Sequence, residues 1–523
     1  MATPIAGARS GVVTGALAFS GMIVSMMFTL VVPVIPDLPR LLSVPAEDAS
    51  WVVTVTLLAS AVFTPVSGRL GDMYGKRRMV VISLTLMVAG SFVCVVGDSL
   101  LVVVIGRALQ GCAVGVIPLG ISIMRDLLPP ERLGSAMALM SATLGAGGAL
   151  GLPLGALVVQ LVDWHMLFLA AAFMGAVGLV LTLTLVPVSP LRTGGRFDFL
   201  GAAGLAAGLV CLLLPVSKGG GWGWDSPLTL GLFAASAVIF LVWGFVELRV
   251  ADPLVDLRAT ARREVLITNI ASIAFGFAMF GPSLVFPLVL QAPGVTGYGL
   301  ELTLVEAGLC MAVGGAMMMV LSPVSARLTN TYGPRTTLMI GAVCTVAGYA
   351  VALFLMDEVW HIVLASTIAS SGAGIGYAAM PASIMGAVPT SETAAANGFN
   401  SLMRSIGTAS ASAVISAVLA AHIVSTGAFS LPSREGLQLA LVTTTIAAAA
   451  ALVIAALLPR GRGRAGRRES GRRNPFSRSG PDRPPRRSPH GKGRRPVTAA
   501  DACRSARSAS TPTDRRGRSR PSP

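Results

Sequence analysis

Charged residues are scarce in this chain: they make up 12% of its 523 residues, whereas 53% are hydrophobic. Soluble domains usually have about a quarter of their residues charged, and so few charges cannot cover a water-facing surface. The composition therefore excludes an ordinary soluble domain. Together with a mean hydropathy of +0.74, it indicates that a lipid bilayer is the solvent for most of the chain.

Cysteines and catalytic patterns are also scarce. Six cysteines are scattered singly along the chain, and five of them lie inside apolar stretches. Their spacing predicts neither a disulfide framework nor a metal site. The sequence has no pattern typical of a nucleophile or of a Walker-type phosphate loop, so we predict no enzyme, no cofactor and no ATP coupling.

Long apolar stretches are abundant, and fourteen of them approach the length of about 20 residues that crosses a bilayer. We number them spans 1 to 14, and they cover residues 12–35, 50–67, 79–97, 100–124, 136–161, 166–188, 199–216, 228–247, 266–290, 302–325, 337–356, 360–385, 396–420 and 437–458. Span 7 is short. An interfacial helix paired with span 8 is its alternative interpretation.

The basic residues between the spans are unequally divided. Fifteen fall on one side of the predicted membrane, and only Arg40, Lys218 and Arg434 fall on the other. Loops rich in Lys and Arg remain in the cytoplasm. We therefore predict a multi-pass protein of the cell membrane with an even number of spans and with both termini in the cytoplasm.

The net charge of +16 lies entirely in residues 460–523, which contain twenty basic and four acidic side chains. This segment consists mainly of Arg, Pro, Ser and Gly, so we predict a disordered cytoplasmic tail. It is either simply solvated or in contact with anionic lipid headgroups. We do not expect nucleic-acid binding, because no folded module or interleaved aromatic residues accompany the charge.

The loop between spans 2 and 3 recurs between spans 10 and 11. Residues 65–78 read PVSGRLGDMYGKRR and residues 323–335 read PVSARLTNTYGPR, with eight of thirteen aligned positions identical. A second, weaker match relates span 4 to span 12. The duplication predicts two six-helix halves, residues 1–190 and 263–459, joined by two linking helices in residues 191–262.

The first copy of this loop resembles motif A of the major facilitator superfamily. The positions that fit are Gly68, Leu70, Gly71, Asp72, Gly75, Lys76 and Arg77. The glycines allow close helix contacts and a turn, and Asp72 suits the positive N-terminus of a helix. In the family that helix is the fifth of the second half, here the start of span 13 near residues 393–398. The resemblance implies a latch that closes one access state.

A local ion pair of Asp72 with Arg77 or Arg78 is the alternative to this latch. In the second copy Asn330 replaces the aspartate. That copy therefore keeps the turn and lacks the charge, which predicts a latch on one side only.

Span 4 contains Arg107, Gln110 and Gly111 in the sequence RALQG, which resembles motif B of the superfamily. An arginine within a membrane span is costly and is a functional hypothesis by default. The resemblance implies that Arg107 and Gln110 take part in proton or substrate coupling. The alternative is a static arginine that donates hydrogen bonds to carbonyl groups of span 1.

Span 5 contains Gly147, Gly151 and Gly155 along one helical face, and Pro153 predicts a kink. This segment resembles motif C, the antiporter signature, although the glycine–proline spacing differs from the family pattern. Glycine-mediated packing without exchange specificity is the alternative. We expect span 10, with Gly308, Gly314 and Gly315, to be the packing partner.

Fourteen spans with these three motifs resemble the drug:proton antiporter branch of the EmrB and QacA type. The resemblance covers residues 11–458 and implies an all-α polytopic major facilitator fold. It also implies multidrug efflux, as in antibiotic resistance, by alternating access and in exchange for protons. A small-solute facilitator or importer and a non-transporting membrane sensor are the alternatives.

One departure from that branch affects the proton site. Span 1 has Met27 where the branch has a proton-binding aspartate. Glu306 and Asp72 are the candidates to replace it, although Glu306 also fits an exposed residue at the start of a helix.

Proline interruptions in spans 1 and 9 predict a central cavity, for which the candidate lining residues are Phe275, Phe277, Met279 and Phe280. Arg404 is expected to snorkel to the cytoplasmic surface.

Overall fold

The computed structural model of the protein describes residues 7–189, 191–426 and 429–459. The predicted tail, residues 460–523, lies outside these ranges. Within them, fourteen helical segments are long and apolar enough to cross a membrane. The predicted all-α polytopic fold is thereby confirmed, and the span numbering is retained below.

Twelve of the spans are single α-helices and two are broken. The unbroken spans 1, 2, 3, 5, 6, 7, 8, 9, 11, 12, 13 and 14 are Gly7–Leu30, Trp51–Tyr74, Lys76–Val95, Pro130–Leu161, His165–Leu185, Phe199–Trp222, Pro227–Glu247, Arg263–Gln291, Pro334–Phe354, Val359–Ala387, Thr393–Ala421 and Arg434–Ala456. Span 4 consists of Leu100–Gly111 and Val116–Leu127, joined by the 3-10 turn Cys112–Gly115. Span 10 consists of Leu304–Val320 and Ser322–Tyr332.

The connections between spans contain only short elements. These are the helices Leu38–Leu41, Ala46–Ala49 and Leu257–Thr260 and the 3-10 turns Val32–Val34, Gly294–Thr296 and Thr390–Glu392. A hairpin joins spans 13 and 14. Its strands β1 (Ile423–Thr426) and β2 (Phe429–Pro432) are antiparallel, with Ile423 opposite Pro432.

Span 7 is longer than its hydropathy predicts. Its helix has 24 residues, from Phe199 to Trp222, and at 1.5 Å per residue it is about 36 Å long. The apolar run ends at Val216, yet the helix continues, and Lys218 is buried against the residues that precede span 2. The Lys218 ammonium donates hydrogen bonds to the Glu47 carbonyl at 2.6 Å and to Ser50 Oγ at 2.5 Å. This helix is long enough to cross the bilayer, so the alternative interpretation of span 7 as an interfacial helix is wrong.

Packing between spans repeats from one half of the chain to the other. In the first half, span 1 packs on spans 5 and 6, span 3 on span 6, and span 2 on span 4. The second half repeats these contacts with every number raised by eight. Contacts between the halves are formed mainly by span 2 with span 13 and by span 5 with span 10. These contacts support a duplicated unit, and its exact boundaries stay a prediction.

The two copies of the repeated loop form the same helix break. Gly75 ends span 2 with φ of 114°, and Gly333 ends span 10 with φ of 87°. Residues with a side chain rarely adopt positive φ. The glycine is therefore required where the chain leaves one span and at once begins the next.

We predict that Gly75→Ala destabilises the protein by about 1 kcal/mol or more, because alanine is strained at this φ. The thermal unfolding midpoint of the purified full-length protein in detergent measures the effect. Gly231→Ala is the matched control, since a methyl group there contacts nothing and alanine favours the helix. Equal midpoints for the two variants would contradict the role of Gly75.

Candidate functional site

The carboxylate of Asp72 contacts the first turn of span 13. The backbone N–H of Ala395 donates to Asp72 Oδ2 at 2.8 Å, and that of Ala394 donates to Oδ1 at 3.3 Å. The Asp72 side chain is fully buried. A carboxylate in this position uses free N–H groups and is favoured by the helix dipole. We call this contact the latch, and it joins the two halves where the resemblance implies it.

Lys76 connects Asp72 to a second carboxylate. Its ammonium lies 3.6 Å from Asp72 Oδ1 and 2.7 Å from Asp126 Oδ2, and all three side chains are fully buried. Ser189 Oγ also donates to Asp126 Oδ2 at 2.5 Å. Two carboxylates and one ammonium leave one net negative charge when all three are ionised. Arg125, the neighbour of Asp126 in the chain, interacts electrostatically with both carboxylates and offsets part of that charge.

Asp72 does not pair with Arg77 or Arg78, the two residues of the local alternative. Arg77 instead donates to the Leu183 carbonyl of span 6, and Arg78 is exposed. Among the described residues, Lys76 is the side chain that forms an ion pair with Asp72. A local ion pair of Asp72 with Arg77 or Arg78 is therefore wrong for this conformation, because Arg77 points to another helix.

Gly68 allows spans 2 and 13 to approach closely. A methyl group added at Gly68 would lie 2.5 Å from the Ala394 carbonyl oxygen, and one added at Gly71 would overlap the Leu119 side chain. Any side chain at Gly68 would therefore separate Asp72 from the N–H groups that it binds.

Arg125 forms a second contact between the halves near the latch. Its guanidinium donates to Thr393 Oγ1 at 2.9 Å, to the Met385 carbonyl at 2.6 Å and to the Val388 carbonyl at 3.3 Å. The sequence analysis singled out neither residue: Arg125 was one of the fifteen basic residues counted on the cytoplasmic side, and Asp126 was not considered. Their only signal was a charged pair at the end of span 4.

The second copy of the loop occupies the equivalent place in the other half. Asn330 packs against Gly134 at the start of span 5, where an added methyl group would lie 2.8 Å from Asn330 Nδ2. Span 5 corresponds to span 13 in the repeat. Each copy thus meets the equivalent helix of the opposite half, where Asp72 is an acid and Asn330 is a neutral amide.

Arg107 is buried in span 4 and binds backbone carbonyls. Its guanidinium donates to Gln110 Oε1 at 2.8 Å, to the Val52 carbonyl at 3.2 Å and to the Met27 carbonyl at 3.5 Å. Gln110 in turn donates to Ser91 Oγ at 2.7 Å. Within the described ranges Arg107 forms no ion pair. This geometry resembles the static alternative only in part, because the closer carbonyl, that of Val52, belongs to span 2 and the Met27 carbonyl of span 1 lies at 3.5 Å; a coupling role stays a prediction.

The glycine face of span 5 packs on span 1, which corrects the expected arrangement. Gly147, Gly151 and Gly155 lie against the backbone around Met26 and Leu30, since methyl groups at all three would overlap span 1. Span 10 packs on the opposite face of span 5. There a methyl group at Gly308 would lie 2.9 Å from the Pro153 nitrogen, one at Gly315 would lie 2.8 Å from the Gly145 carbonyl, and Gly314 faces span 12 instead.

Glu306 is used for helix capping. Its Oε2 accepts from Thr303 N and from Thr303 Oγ1, both at 2.8 Å, and Thr303 Oγ1 caps the Glu306 N–H in return. The side chain is exposed at the start of span 10. This reciprocal capping box explains the residue without a coupling role, so we do not include Glu306 in the candidate coupling site.

Arg404 lies inside the helix bundle and does not snorkel. Its carbonyl packs against Gly276, halfway along span 9, and its guanidinium lies 5.1 Å from the centre of the Tyr377 ring. Stacking of this kind stabilises a cation away from water.

Span 9 continues unbroken through Pro282 and Pro287. Of its aromatic side chains, Phe275 is buried against span 12, whereas Phe277 and Phe280 are half-buried.

Comparison with known proteins identifies the family. The model of the Major Facilitator Superfamily matches residues 17–412, with a second match at residues 266–500. The chain belongs to the Major Facilitator Superfamily. The family and the fourteen spans together confirm a membrane transporter of this fold.

Curated relatives share about a quarter of their residues with this superfamily member. Multidrug resistance protein 3 of Bacillus subtilis is 26% identical over 69% of this chain and 70% of its own. Multidrug resistance protein Stp of Mycobacterium tuberculosis is 28% identical over 78% and 75%. The tetracenomycin C resistance and export protein of Streptomyces glaucescens is 28% identical over 64% and 61%.

Solved structures agree in fold. The human organic anion transporter MFSD10 has a TM-score of 0.61 at 14% identity, over 85% of this chain and 99% of its own. The proton:xylose symporter XylE has a TM-score of 0.60 at 13% identity, over 87% and 97%. At these identities the likeness shows the major facilitator fold alone.

We predict that Asp72→Asn opens the end of the bundle at which the latch lies. Asparagine loses the negative charge and one of the two acceptor oxygens, so the contact with span 13 weakens by about 1–3 kcal/mol. Spin labels at the adjacent ends of spans 2 and 13, in a cysteine-free background, measure the distance distribution. We expect a larger population at long distance, whereas Asp37→Asn at the opposite end leaves the distribution unchanged. Identical distributions for Asp72→Asn and the parent would contradict the latch.

Proposed function

We propose that this chain exports hydrophobic or cationic drugs from the cytoplasm in exchange for protons, by alternating access. The names of the relatives, which include multidrug resistance and tetracenomycin export proteins, support a drug substrate. The single observation that supports coupled alternation is the latch, because a charged side chain of one half binds the backbone of the other at one end of the bundle.

Orientation is part of the proposal. The end with the latch contains most of the basic loop residues, and such loops face the cytoplasm. Both termini are then cytoplasmic, in a cell membrane. The latch and the Arg125 contacts close the cytoplasmic end, so the conformation described above is closed to the cytoplasm.

We propose the buried cluster of Asp72, Lys76 and Asp126 as the proton site. Met27 has no ionisable group and is buried in span 1, whereas the cluster offers two carboxylates for one ammonium. A proton on Asp72 removes the charge that favours the N-terminus of span 13. Protonation would then weaken the latch and allow the cytoplasmic end to open.

The roles of the three helical units follow from this scheme. Residues 1–190 and 263–459 act as the two moving halves, and residues 191–262 link them. Spans 2 and 13 form the cytoplasmic contact that breaks, and spans 5 and 10 form the other contact between halves. The proton gradient supplies the driving force, and no cofactor or enzymatic step is required.

A facilitator or importer of a small solute is the second candidate function. It is favoured by the absence of an acid in span 1 and by Arg107, whose guanidinium binds carbonyls instead of a carboxylate. In that case the same latch would open and close without proton exchange.

Transport of a fluorescent cationic dye in everted membrane vesicles separates these functions. We expect dye uptake into everted vesicles that rises with an imposed proton gradient, inside acidic, and that stops when an ionophore collapses the gradient. Vesicles that contain Asp72→Asn should retain protein and lose most uptake. Dye movement that follows only the dye gradient would contradict antiport and favour the facilitator.

A pair of carboxylate variants tests the location of the proton site. Asp126→Asn removes one acid of the buried cluster, whereas Glu306→Gln removes the acid of the capping box. We expect Asp126→Asn to lower proton-driven dye uptake about tenfold or more. Asp72 is then the one carboxylate left to pair with the buried Lys76, so no second carboxylate is free to take the proton. Glu306→Gln should stay within about twofold, since glutamine also completes a capping box. The reverse order of effects would assign coupling to Glu306.

A further inference from the structure

A cavity of about 430 Å³ lies beside the latch. Span 2, span 9, the start of span 13 and both connections of the linking helices contribute to its wall. The side chains used in the argument below are Arg69, Thr193, Asp252, Asp256, Asn269 and Glu392. Its volume falls within the range of small-molecule sites, and neither drug efflux nor the latch requires it.

Arg69 in the wall of this cavity is buried without a partner. The residue is 9% exposed, and its Nε has no hydrogen-bond partner among the described residues. None of its donors takes part in a hydrogen bond or ion pair within the part of the chain that the structure describes. A buried N–H donor such as Arg69 Nε is costly without an acceptor, so this position favours an oxygen-rich ligand.

Asn269 adds a second unused donor from the other half of the protein. It is 3% exposed, its Oδ1 accepts from Asn400 Nδ2 at 2.9 Å, and its Nδ2 is unpartnered. Thr193 Oγ1 in the linking segment is likewise unpartnered. Residues of the inner wall therefore contain buried, unpartnered polar atoms from the first half, the second half and the linker, of which the Arg69 and Asn269 nitrogens are donors.

The acidic residues of the wall do not neutralise these donors. Asp252 is exposed and accepts from the Arg196 N–H at 3.3 Å. Asp256 is exposed and caps the short helix Leu257–Thr260. Glu392 is only half-buried. The carboxylates lie toward the surface, whereas the unused buried groups are donors.

We propose that this cavity is a binding site for a small oxyanion, a phosphate or carboxylate group, held by Arg69 and Asn269. Guanidinium and amide donors match the oxygen atoms of such a group. The Thr193 N–H donates to the Asp72 carbonyl at 2.9 Å, so the same linker segment is attached to the end of span 2. A ligand there bridges both halves next to the latch and stabilises the closed cytoplasmic end. We infer an effector site that acts through the latch.

Direct binding tests the site. The full-length protein in phosphatidylcholine nanodiscs is dialysed against radiolabelled inorganic phosphate or glycerol 3-phosphate. We expect saturable binding of one ligand per chain, and Arg69→Gln should weaken it about tenfold or more, because a charged hydrogen-bond donor is lost. Arg78→Gln, an exposed residue of the same loop, is the charge-matched control and should retain the parent affinity.

Asn269→Asp provides a second test if Arg69→Gln does not fold. Aspartate keeps the acceptor that Asn400 uses, and it places a carboxylate oxygen where the unpartnered amide nitrogen stands. The variant should remain folded and lose oxyanion binding, since its carboxylate repels the ligand.

Nanodiscs that contain phosphatidylglycerol distinguish a lipid headgroup from a free ligand. Competition by phosphatidylglycerol in the parent and in Arg78→Gln would identify a lipid headgroup as the ligand. Undiminished binding of the soluble phosphates would identify a free molecule, and either result supports the site. The proposal would be overturned if the soluble phosphates did not bind saturably in phosphatidylcholine nanodiscs and phosphatidylglycerol acted equally on the parent and on Arg69→Gln. Binding that survives both Arg69→Gln and Asn269→Asp would also overturn it.

Discussion

A buried carboxylate at the N-terminus of a helix is the interaction on which the closed end of this transporter depends. Asp72 satisfies the N–H groups of Ala394 and Ala395, Gly68 allows the backbones to meet, and Lys76 balances part of the charge. The carboxylate, the ammonium and the two N–H groups would each be costly to bury without the others. The contact is therefore cooperative, and removal of a single charge is expected to affect the whole end of the bundle.

The duplicated architecture gives the two halves similar surfaces with different charges. Both copies of the loop end a span at a glycine with positive φ, and both pack on the corresponding helix of the opposite half. Asn330 is exposed beside Gly134, whereas Asp72 is fully buried and charged. Because a neutral amide gains little from the helix dipole, the proposed proton-dependent closure involves one copy only. The fold is thus nearly symmetric, whereas the proposed gating is not.

Much of the fold could be predicted because a bilayer imposes strict rules on composition and span length. The spans, the repeat and the meeting of Asp72 with span 13 came from local patterns and the family resemblance. The partners of Lys76, the packing of the span 5 glycines and the position of Arg404 did not. Those depend on which face of a helix meets which neighbour, and a glycine stripe or a lone arginine does not specify its partner. The capping of Glu306 by Thr303 was readable from the sequence T-x-x-E.

Hydrogen exchange at the first turn of span 13 tests the central claim most directly. In the closed state the Ala394 and Ala395 amides are held by Asp72, so the peptide that contains residues 390–400 should exchange slowly. In Asp72→Asn the same peptide should exchange about tenfold faster or more, whereas the peptide around Gly134 at the start of span 5 should be nearly unchanged. Equal exchange of residues 390–400 in the parent and in Asp72→Asn would contradict the account.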